Sequence, residues 1–481
     1  MGPPRPAIAP LPDGSSCDAT SPRSGSLQPD GPCKSSNGEV EFHFEDDAVV
    51  VMGKRHHDRM APARSDPRTS TTELASTKEA TMPQDRITKV FVDGLRTLEH
   101  IELEINGLAV LAGVNGSGKS SIVESCEILH RAASPKFIDD FVAIHGGFES
   151  LKRFGASSMR FGIRIEGAGP PLEYSFSIEE LLGLYISDEC LKLFKDDSIV
   201  TVINRQGRTA SVLDEAHGPT EPKGFPGAGL LLTGFGFKYP HSAMRRAVKA
   251  LEQIEVHVGF EVLPAWVARE QGRPPNMRAS AAHKPAGALK RLGGNLANVY
   301  ETLRSDPGEW RQTMEYVRIG LGDDIEDVRP ERVRADEGMM LWMKYQSAEK
   351  EVPSSSLSDG TLDYLAFVAF ARLKSQRSLV VFDEPELHLH PALLMRVLDL
   401  LEAMAQDTSV LISTHSDRLL DGLSEPAASI VLCELNAQRA TEIARPDPEL
   451  LEKWLIKYRG FGELRAEGLE GTVLGGHGGH S

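Results

Sequence analysis

The chain has 481 residues, 40% of them hydrophobic, and 69 acidic against 53 basic side chains give a formal net charge of −16. This length can bury a sizeable core in one large domain or two, while the acidic balance argues against nonspecific coating of nucleic acid. We expect a reduced, cytoplasmic protein, because the chain has no run of eighteen apolar residues, no apolar secretory segment, and five scattered cysteines without a C-x-x-C pair.

The N-terminal region differs in composition from the rest of the chain. Residues 1–84 are rich in Pro, Ser, Gly and Asp and show no apolar periodicity. They cannot bury enough surface to offset the entropy lost on ordering, so we predict a disordered tail. From residue 85 onward, apolar runs predict strands near residues 87–92, 100–105 and 108–112.

The sequence G-x-x-x-x-G-K-S follows the third predicted strand and opens a helical pattern over residues 119–131. Its glycines allow backbone N–H groups to turn toward a phosphate, Lys119 would bridge the β- and γ-phosphates of a nucleotide, and Ser120 would ligate Mg²⁺. The candidate nucleotide-binding residues in this P-loop are Gly113, Asn115, Gly116, Ser117, Gly118, Lys119, Ser120 and Ser121. A Gly/Ser-rich turn that arose by chance is the alternative interpretation.

The middle of the chain is less regular. Alternating segments at residues 159–165 and 172–178 predict paired strands, residues 180–235 show no clear pattern, and helices are predicted at 240–253, 293–304 and 308–319, followed by a strand at 339–344. Basic side chains here are candidates for contact with DNA, although a solvated surface is the alternative. They are Lys238, Arg245, Arg246, Lys249, Lys284, Lys290 and Arg291.

The last third alternates helices and strands, which predicts an α/β sheet with the nucleotide at the carboxyl ends of the strands. Helices are predicted at 361–374, 391–405, 416–423 and 447–457, and strands at 378–383, 409–413 and 428–434. The first of these strands ends in two carboxylates. Asp383 would complete the Mg²⁺ shell and Glu384 would activate the attacking water as a general base, unless Asp-Glu-Pro is only a surface turn.

Two short motifs frame these carboxylates: Leu357-Ser-Asp-Gly-Thr361 opens a helix, and Ser413-Thr-His415 ends a strand. Each alone also fits an ordinary helix cap or a surface histidine. Together, the P-loop, L-S-D-G-T, D-E-P-E with a following L-H-P, and S-T-H resemble the ABC-type ATPase head. More narrowly, they are similar to the compact RecF/SMC-like ATPases of the AAA class, over roughly residues 86–460.

The resemblance implies a P-loop NTPase fold of ABC-ATPase type, an α/β fold in which helices flank a mixed sheet and an α/β lobe is inserted. It also implies that Ser358 and Gly360 contact ATP held by a second copy, so that two ATP molecules are sandwiched in a head-to-tail homodimer. His415 matches the histidine that senses the γ-phosphate in this class.

The same resemblance divides the chain into an N-terminal part of the ATPase head (85–178), an inserted helical or α+β lobe (179–345), a C-terminal part of the head (346–460) and a flexible tail (461–481). One departure is that no glutamine occurs between Ser121 and Arg205, so the Q-loop residue has no counterpart. The insert is too long for a transporter ATPase and lacks the heptads of an SMC coiled coil. Too few residues follow His415 for a Toprim domain, so we expect a compact form without either.

We therefore expect a Mg²⁺-dependent ATP hydrolase in which Lys119, Glu384 and His415 serve catalysis and Ser120 and Asp383 hold the metal. Two biological roles stay open. One is DNA repair or maintenance, with DNA clamped by the closed dimer. The other is a sensor in a phage-defence or toxin system that controls a separately encoded effector or nuclease. No membrane partner is expected.

Overall fold

The structure is a computed structural model that describes residues 84–474, except 197, 223, 226, 236, 237, 239, 264–266, 268–275, 334–337 and 459. All but the last residue of the predicted disordered tail, residues 1–84, lies outside this part of the chain. Within the described residues, no helix is long and apolar enough to cross a bilayer.

The strands are β1 (Arg86–Leu95), β2 (Leu98–Glu104), β3 (Leu108–Gly113), β4 (Ser158–Glu166), β5 (Leu172–Glu180), β6 (Leu184–Lys195), β7 (Ser198–Gln206), β8 (Thr209–Asp214), β9 (Gly218–Thr220), β10 (Ile254–His257), β11 (Ile325–Arg332), β12 (Met339–Tyr345), β13 (Val352–Pro353), β14 (Leu379–Asp383), β15 (Ser409–Thr414), β16 (Ile430–Leu435) and β17 (Thr441–Ala444).

The helices are α1 (Lys119–Arg131), α2 (Phe137–His145), α3 (Phe148–Leu151), α4 (Leu231–Phe235), α5 (Ser242–Glu252), α6 (Leu296–Arg304), α7 (Pro307–Leu321), α8 (Asp359–Arg372), α9 (Pro391–Met404), α10 (Asp417–Asp421), α11 (Pro426–Ser429), α12 (Pro448–Leu455) and α13 (Phe461–Ala466). Short 3-10 turns lie at Ser354–Ser356 and Glu470–Val473.

The sheet that carries the P-loop has the order β10-β14-β15-β3-β16-β17, parallel except for the last strand. Its strands are nearly continuous apolar runs, and every residue of β15 is buried, as expected for a parallel sheet covered on both faces. Since β3 and β14 both pair with β15, the carboxyl ends of three adjacent strands meet at one edge of the sheet.

A second sheet is antiparallel, in the order β2-β1-β4-β5-β6-β7-β8-β9. The predicted domain boundary between residues 178 and 179 does not match this sheet. The boundary falls within β5, which pairs with β6 along its length. Residues 179–345 are therefore distributed over more than one sheet of the fold. Strands β6–β9 extend this sheet, β10 joins the P-loop sheet beside β14, and α7 packs against α8.

The C-terminal segment corrects the expectation that residues 461–481 form a flexible tail. As far as residue 474 it is ordered into α13 and a 3-10 turn, and Phe461, Leu464 and Val473 are fully buried in the core that includes the P-loop sheet. Burial of these three apolar side chains stabilises the segment, although its glycine-rich composition predicts a flexible tail. Residues 475–481 lie outside the described residues.

Candidate functional site

The P-loop connects the carboxyl end of β3 to the first residue of α1. Gly116 and Gly118 have φ angles of 81° and 101°, a region that side chains with a β-carbon rarely adopt. A Cβ at Gly118 would also overlap Thr441 Oγ1. The first turn of α1 has neither an acidic residue nor a side-chain cap, so its backbone N–H groups stay available for an anion.

Lys119, the first residue of α1, is buried, and its side chain reaches back to the start of the P-loop. Its Nζ donates to the carbonyl oxygens of Gly113 and Val114 at 2.9 and 3.1 Å. Burial lowers the pKa of this ammonium group, although Glu384 and Asp383 are close enough to oppose the shift. The lysine is thus folded back onto the loop and must leave these carbonyls to reach a phosphate.

The hydroxyl groups of the P-loop differ in their surroundings. Ser117 Oγ is fully buried and has no hydrogen-bond partner among the described residues. Ser120, one residue into α1, is exposed, as is Asn115 in the loop, whereas Ser121 is buried. Ser120 therefore presents its hydroxyl to the solvent side, where a ligand would approach.

The carboxylate pair lies at the carboxyl end of β14. The strand β15 separates β14 from the P-loop strand β3. Asp383 is paired in register with Ser413 of β15 and accepts a hydrogen bond from its hydroxyl group. Glu384 takes a left-handed backbone conformation with φ of 51°, rare for a residue with a β-carbon, while its N–H donates to Ser413 O at 2.9 Å. Its carboxylate Oε1 lies 3.7 Å from His415 Nε2. Both side chains remain about one third exposed.

Glu386 fixes the segment that carries His415. One oxygen, Oε1, accepts from Thr414 Oγ1 at 2.7 Å and from the backbone N–H of His415 at 2.8 Å. The second oxygen is buried and has no partner among the described residues. Because Glu386 follows Glu384 by two residues, it couples the carboxylate loop to the end of β15.

The L-S-D-G-T segment is built separately from the P-loop. Ser358 caps α8, its Oγ accepting from Thr361 N at 3.2 Å, and remains exposed. A Cβ on Gly360 would approach His388 O to 2.8 Å, so this glycine permits close contact with the loop after Glu384. The described hydrogen bonds and ion pairs do not join Ser358 or Gly360 to the P-loop of the same chain.

Arg278 anchors the L-S-D-G-T segment through hydrogen bonds and an ion pair. Its guanidinium is buried and donates to the carbonyl oxygens of Val262 and Leu357 at 2.7 and 2.5 Å, and it forms an ion pair with Asp359. Arginine suits this position because its planar fork carries five donors in fixed directions.

The structure therefore brings the P-loop, Asp383, Glu384 and His415 together, whereas none of the described hydrogen bonds or ion pairs joins Ser358 or Gly360 to the P-loop. Sequence reasoning assigned no role to Glu386, Ser413 or Arg278. Glu386 could have been found as the last residue of D-E-P-E, and Ser413 as the first of S-T-H. Arg278 carries no local signal, because its partners are far away in the sequence.

The basic side chains proposed for DNA contact are partly engaged by carboxylates. Arg246 donates to both oxygens of Asp85, at 2.7 and 2.9 Å. Arg291 lies 3.0 Å from Glu127, a buried residue of α1. These two arginines therefore contribute less positive potential than the sequence alone indicates.

Part of the chain that includes the second half of the site is similar to known proteins. Residues 321–421 match the family described as "AAA domain, putative AbiEii toxin, Type IV TA system". The matched segment contains Ser358, Asp383, Glu384 and His415, and the P-loop lies outside it. One curated protein, "Protein ea59" of Escherichia phage lambda, is 31% identical over 137 residues, which cover 27% of this chain. The chain spans about a quarter of the length of that relative, since the aligned part is 25% of it.

Among solved structures, the chain is similar to an SMC head bound to the C-terminal winged-helix domain of ScpA, with a TM-score of 0.44, 13% identity, and coverage of 76% of this chain and 99% of that one. For the SMC head domain of Thermotoga maritima the values are 0.38, 11%, 75% and 98%. For an SMC head with an extended coiled coil from Pyrococcus furiosus, bound to the C-terminal domain of ScpA, they are 0.43, 12%, 78% and 99%.

The match over residues 321–421 supports the predicted resemblance to ATPases of the AAA class for that segment. The fold is α/β, as predicted, with sheets flanked by helices.

Proposed function

We propose that this chain binds Mg-ATP in its P-loop, hydrolyses it with Glu384 as the general base, and closes around the nucleotide as a head-to-tail homodimer. One observation carries the proposal: the P-loop, the Asp383–Glu384 pair and His415 follow three adjacent strands of one parallel sheet. Phosphate-binding and water-activating groups are thereby gathered at one edge, where α/β sheets bind their ligands.

The residues of the loop bind the triphosphate. The uncapped N-terminus of α1 supplies backbone N–H groups, and Gly116 and Gly118 allow them to turn inward. Lys119 exchanges its two carbonyl acceptors for the β- and γ-phosphate oxygens. An anion at this position also raises the pKa of the lysine, which favours its charged form.

The oxygen ligands at the site fit a magnesium ion. Ser120 has an exposed hydroxyl at the start of α1, and Asp383 is held by Ser413 with its second oxygen outside that hydrogen bond. Hard oxygen donors of this kind are those Mg²⁺ prefers, together with phosphate oxygens and water. When bound, the ion neutralises charge on the phosphate oxygens.

Glu384 is the candidate base because its carboxylate is partly exposed at the exit of β14 and lies near His415. The strained backbone of Glu384 points to a position set by function. Glu386 holds the backbone of His415, so the histidine stays beside the base and can contact the γ-phosphate.

A second copy would complete the site. Ser358 is exposed at the N-terminus of α8, where backbone N–H groups favour an anion, and it is not bonded to its own P-loop. This separation supports contact with the ATP of a partner subunit, as the resemblance implies.

The assay uses full-length protein, with Glu384→Gln as the test variant and Glu452→Gln, on the exposed face of α12, as the matched control. Wild type should hydrolyse ATP and lose turnover in EDTA. Glu384→Gln should bind ATP, hydrolyse it about 100-fold or more slowly, and show a dimer mass by light scattering with ATP, since general-base catalysis contributes about 100-fold to 10,000-fold. Unchanged turnover in Glu384→Gln would refute the assignment.

The biological role has two candidates. DNA repair or maintenance is the first, with DNA bound by the closed dimer. The second is an ATPase switch that controls a separately encoded effector, and the description of the matched family as a putative toxin of a toxin–antitoxin system favours it. The carboxylates that engage Arg246 and Arg291 also favour the second role.

A measurement of ATPase activity with and without duplex DNA separates the two roles. DNA-stimulated hydrolysis that falls steeply with added salt would support the DNA role, because counterion release dominates such binding. Co-purification of a neighbouring gene product, released on addition of ATP, would support the switch. Hydrolysis unaffected by DNA, together with such a complex, would exclude the DNA role.

A further inference from the structure

The C-terminal helix α13 packs on α10, the short helix that directly follows His415. The contact is close enough to require glycine. A Cβ at Gly462 would overlap Asp417 O, and one at Gly460 would overlap Asp421 Oδ1. Phe461 and Leu464 are fully buried in the same region. The helix is therefore held firmly against the segment that carries the candidate γ-phosphate sensor.

Arg465 extends from α13 to the P-loop. Its Nη1 donates to Asp417 Oδ1 at 3.0 Å and its Nη2 donates to Gly113 O at 3.3 Å. The side chain is 15% exposed. One guanidinium thus joins the first residue of the P-loop to the segment two residues after His415. The geometry uses the fork of arginine, which can serve two acceptors in different directions.

Gly113 O is shared between two cations. Lys119 Nζ donates to it at 2.9 Å and Arg465 Nη2 at 3.3 Å. Arg465 is near enough to lower the pKa of Lys119, after the larger effect of burial. When Lys119 turns to a phosphate, Gly113 O loses one donor, and Arg465 is the remaining side-chain donor among the described residues.

We propose that Arg465 is a positioning residue of the nucleotide site. It holds the carbonyl of Gly113 while Lys119 transfers to the phosphates, and through Asp417 it links the shape of the P-loop to the His415 segment. A half-buried carbonyl without a donor would otherwise oppose the move of Lys119. The inference rests on the proposed binding of ATP and assigns to it a residue outside the recognised motifs.

The test measures the Kd for ATP, with a fluorescent ATP analogue as the probe, together with KM and kcat, in full-length Arg465→Ala. We expect the Kd and KM to rise about 10-fold, the usual size for loss of a hydrogen bond to a charged group. Arg465→Lys should bind with intermediate affinity, because a single ammonium group keeps the charge but does not reach both acceptors. Arg418→Ala, an exposed arginine next to Asp417, is the matched control and should stay within twofold of wild type.

A purely structural role would give a different result. Partial unfolding lowers the active fraction, and so the apparent kcat, but leaves the KM of the folded molecules unchanged. In the double variant Asp417→Ala/Arg465→Ala, the Kd should be no higher than in Arg465→Ala alone, since both changes break the same link.

The outcomes separate the inference from the function on which it rests. Failure of wild type to bind ATP would overturn the proposed function. Binding by wild type together with a Kd within twofold in folded Arg465→Ala would overturn the role of Arg465 alone. Where Arg465→Ala does not fold, Asp417→Ala decides, because it leaves the arginine in place and removes the carboxylate acceptor of its Nη1. An unchanged Kd in that variant also overturns the inference.

Discussion

Replacement of Asp363 by asparagine should change how stability depends on pH. Asp363 lies on α8 and is only 3% exposed, and its Oδ1 has no hydrogen-bond partner among the described residues. Its Oδ2 is 3.3 Å from His388 Nδ1. Burial, helped by the nearby carboxylate of Asp359 and opposed by Arg278, raises the pKa of Asp363 from 3.8 to about 8.

The sign of the effect follows from this shift. The folded protein holds the proton of Asp363 more tightly than the unfolded chain, so the stabilisation is complete below pH 3.8 and is lost as the pH rises through about 8. A shift of about 4 pH units, at about 1.4 kcal/mol per unit, sets an upper limit of about 6 kcal/mol. The exposed His388 ring can turn toward the ionised carboxylate, and we therefore expect at least about 2 kcal/mol of this range to be observed between pH 5 and 8.

The assay is urea-induced unfolding at pH 5, 6.5 and 8. Asparagine has the shape of the protonated carboxyl group and does not ionise. Relative to wild type, Asp363→Asn should therefore gain at least about 2 kcal/mol of unfolding free energy from pH 5 to pH 8. Asp399→Asn, exposed on α9, is the control and should show a difference below about 0.5 kcal/mol. A difference between wild type and Asp363→Asn that does not vary with pH would refute the reasoning.

Two further predictions concern packing around the site. Gly462→Ala should lower the unfolding free energy by about 1–3 kcal/mol, because the new methyl group overlaps Asp417 O. Gly471→Ala is the control and should be nearly neutral in the same urea titration, because a Cβ there meets open space. Equal effects of the two substitutions would argue against the close contact at Gly462. Arg278→Ala should lower the unfolding free energy by about 3 kcal/mol or more, because Leu357 O and other buried carbonyls lose their donor. A change below about 1 kcal/mol in thermal unfolding would show that water replaces the guanidinium.

The sequence predicts the helices and strands around the P-loop and the carboxylate pair well because their signals are local. The predicted helix over residues 119–131 is reproduced in α1, the strand that leads to Asp383 ends at the predicted residue, and the strand before His415 ends one residue later than predicted, at Thr414. In each case a continuous apolar run or a helical period ends at residues with distinctive chemistry. The fold class follows from the same alternation of helices and strands.

The strands between residues 184 and 220 were not predicted, and two buried charged side chains explain much of this. Glu189 is fully buried on β6, where it accepts from the N–H groups of Leu231 and Leu232, and Arg205 is 2% exposed on β7. In a sequence pattern, such residues look like solvent-facing positions. Their acceptors and donors come from a segment tens of residues later, so the local pattern does not report them.

The same limit applies to the links around the site. Arg278 and Arg465 act through carbonyl groups of residues far from them in the sequence. A carbonyl is present in every residue, and so its position carries no sequence signal. Only the folded chain shows which of them an arginine reaches.

The two hydrogen bonds accepted by Glu386 bear on how fast His415 would respond to the proposed nucleotide. They tie down the hydroxyl before His415 and the backbone N–H of His415 itself. If His415 contacts the γ-phosphate as proposed, a histidine whose backbone is anchored in this way responds by rotating its ring about its side-chain bonds. Such rotations take picoseconds to nanoseconds, whereas loop rearrangements take up to microseconds. Ring rotation of His415 would then not limit the rate of the proposed ATPase cycle. That rate would be set by ATP hydrolysis or by the opening of the dimer.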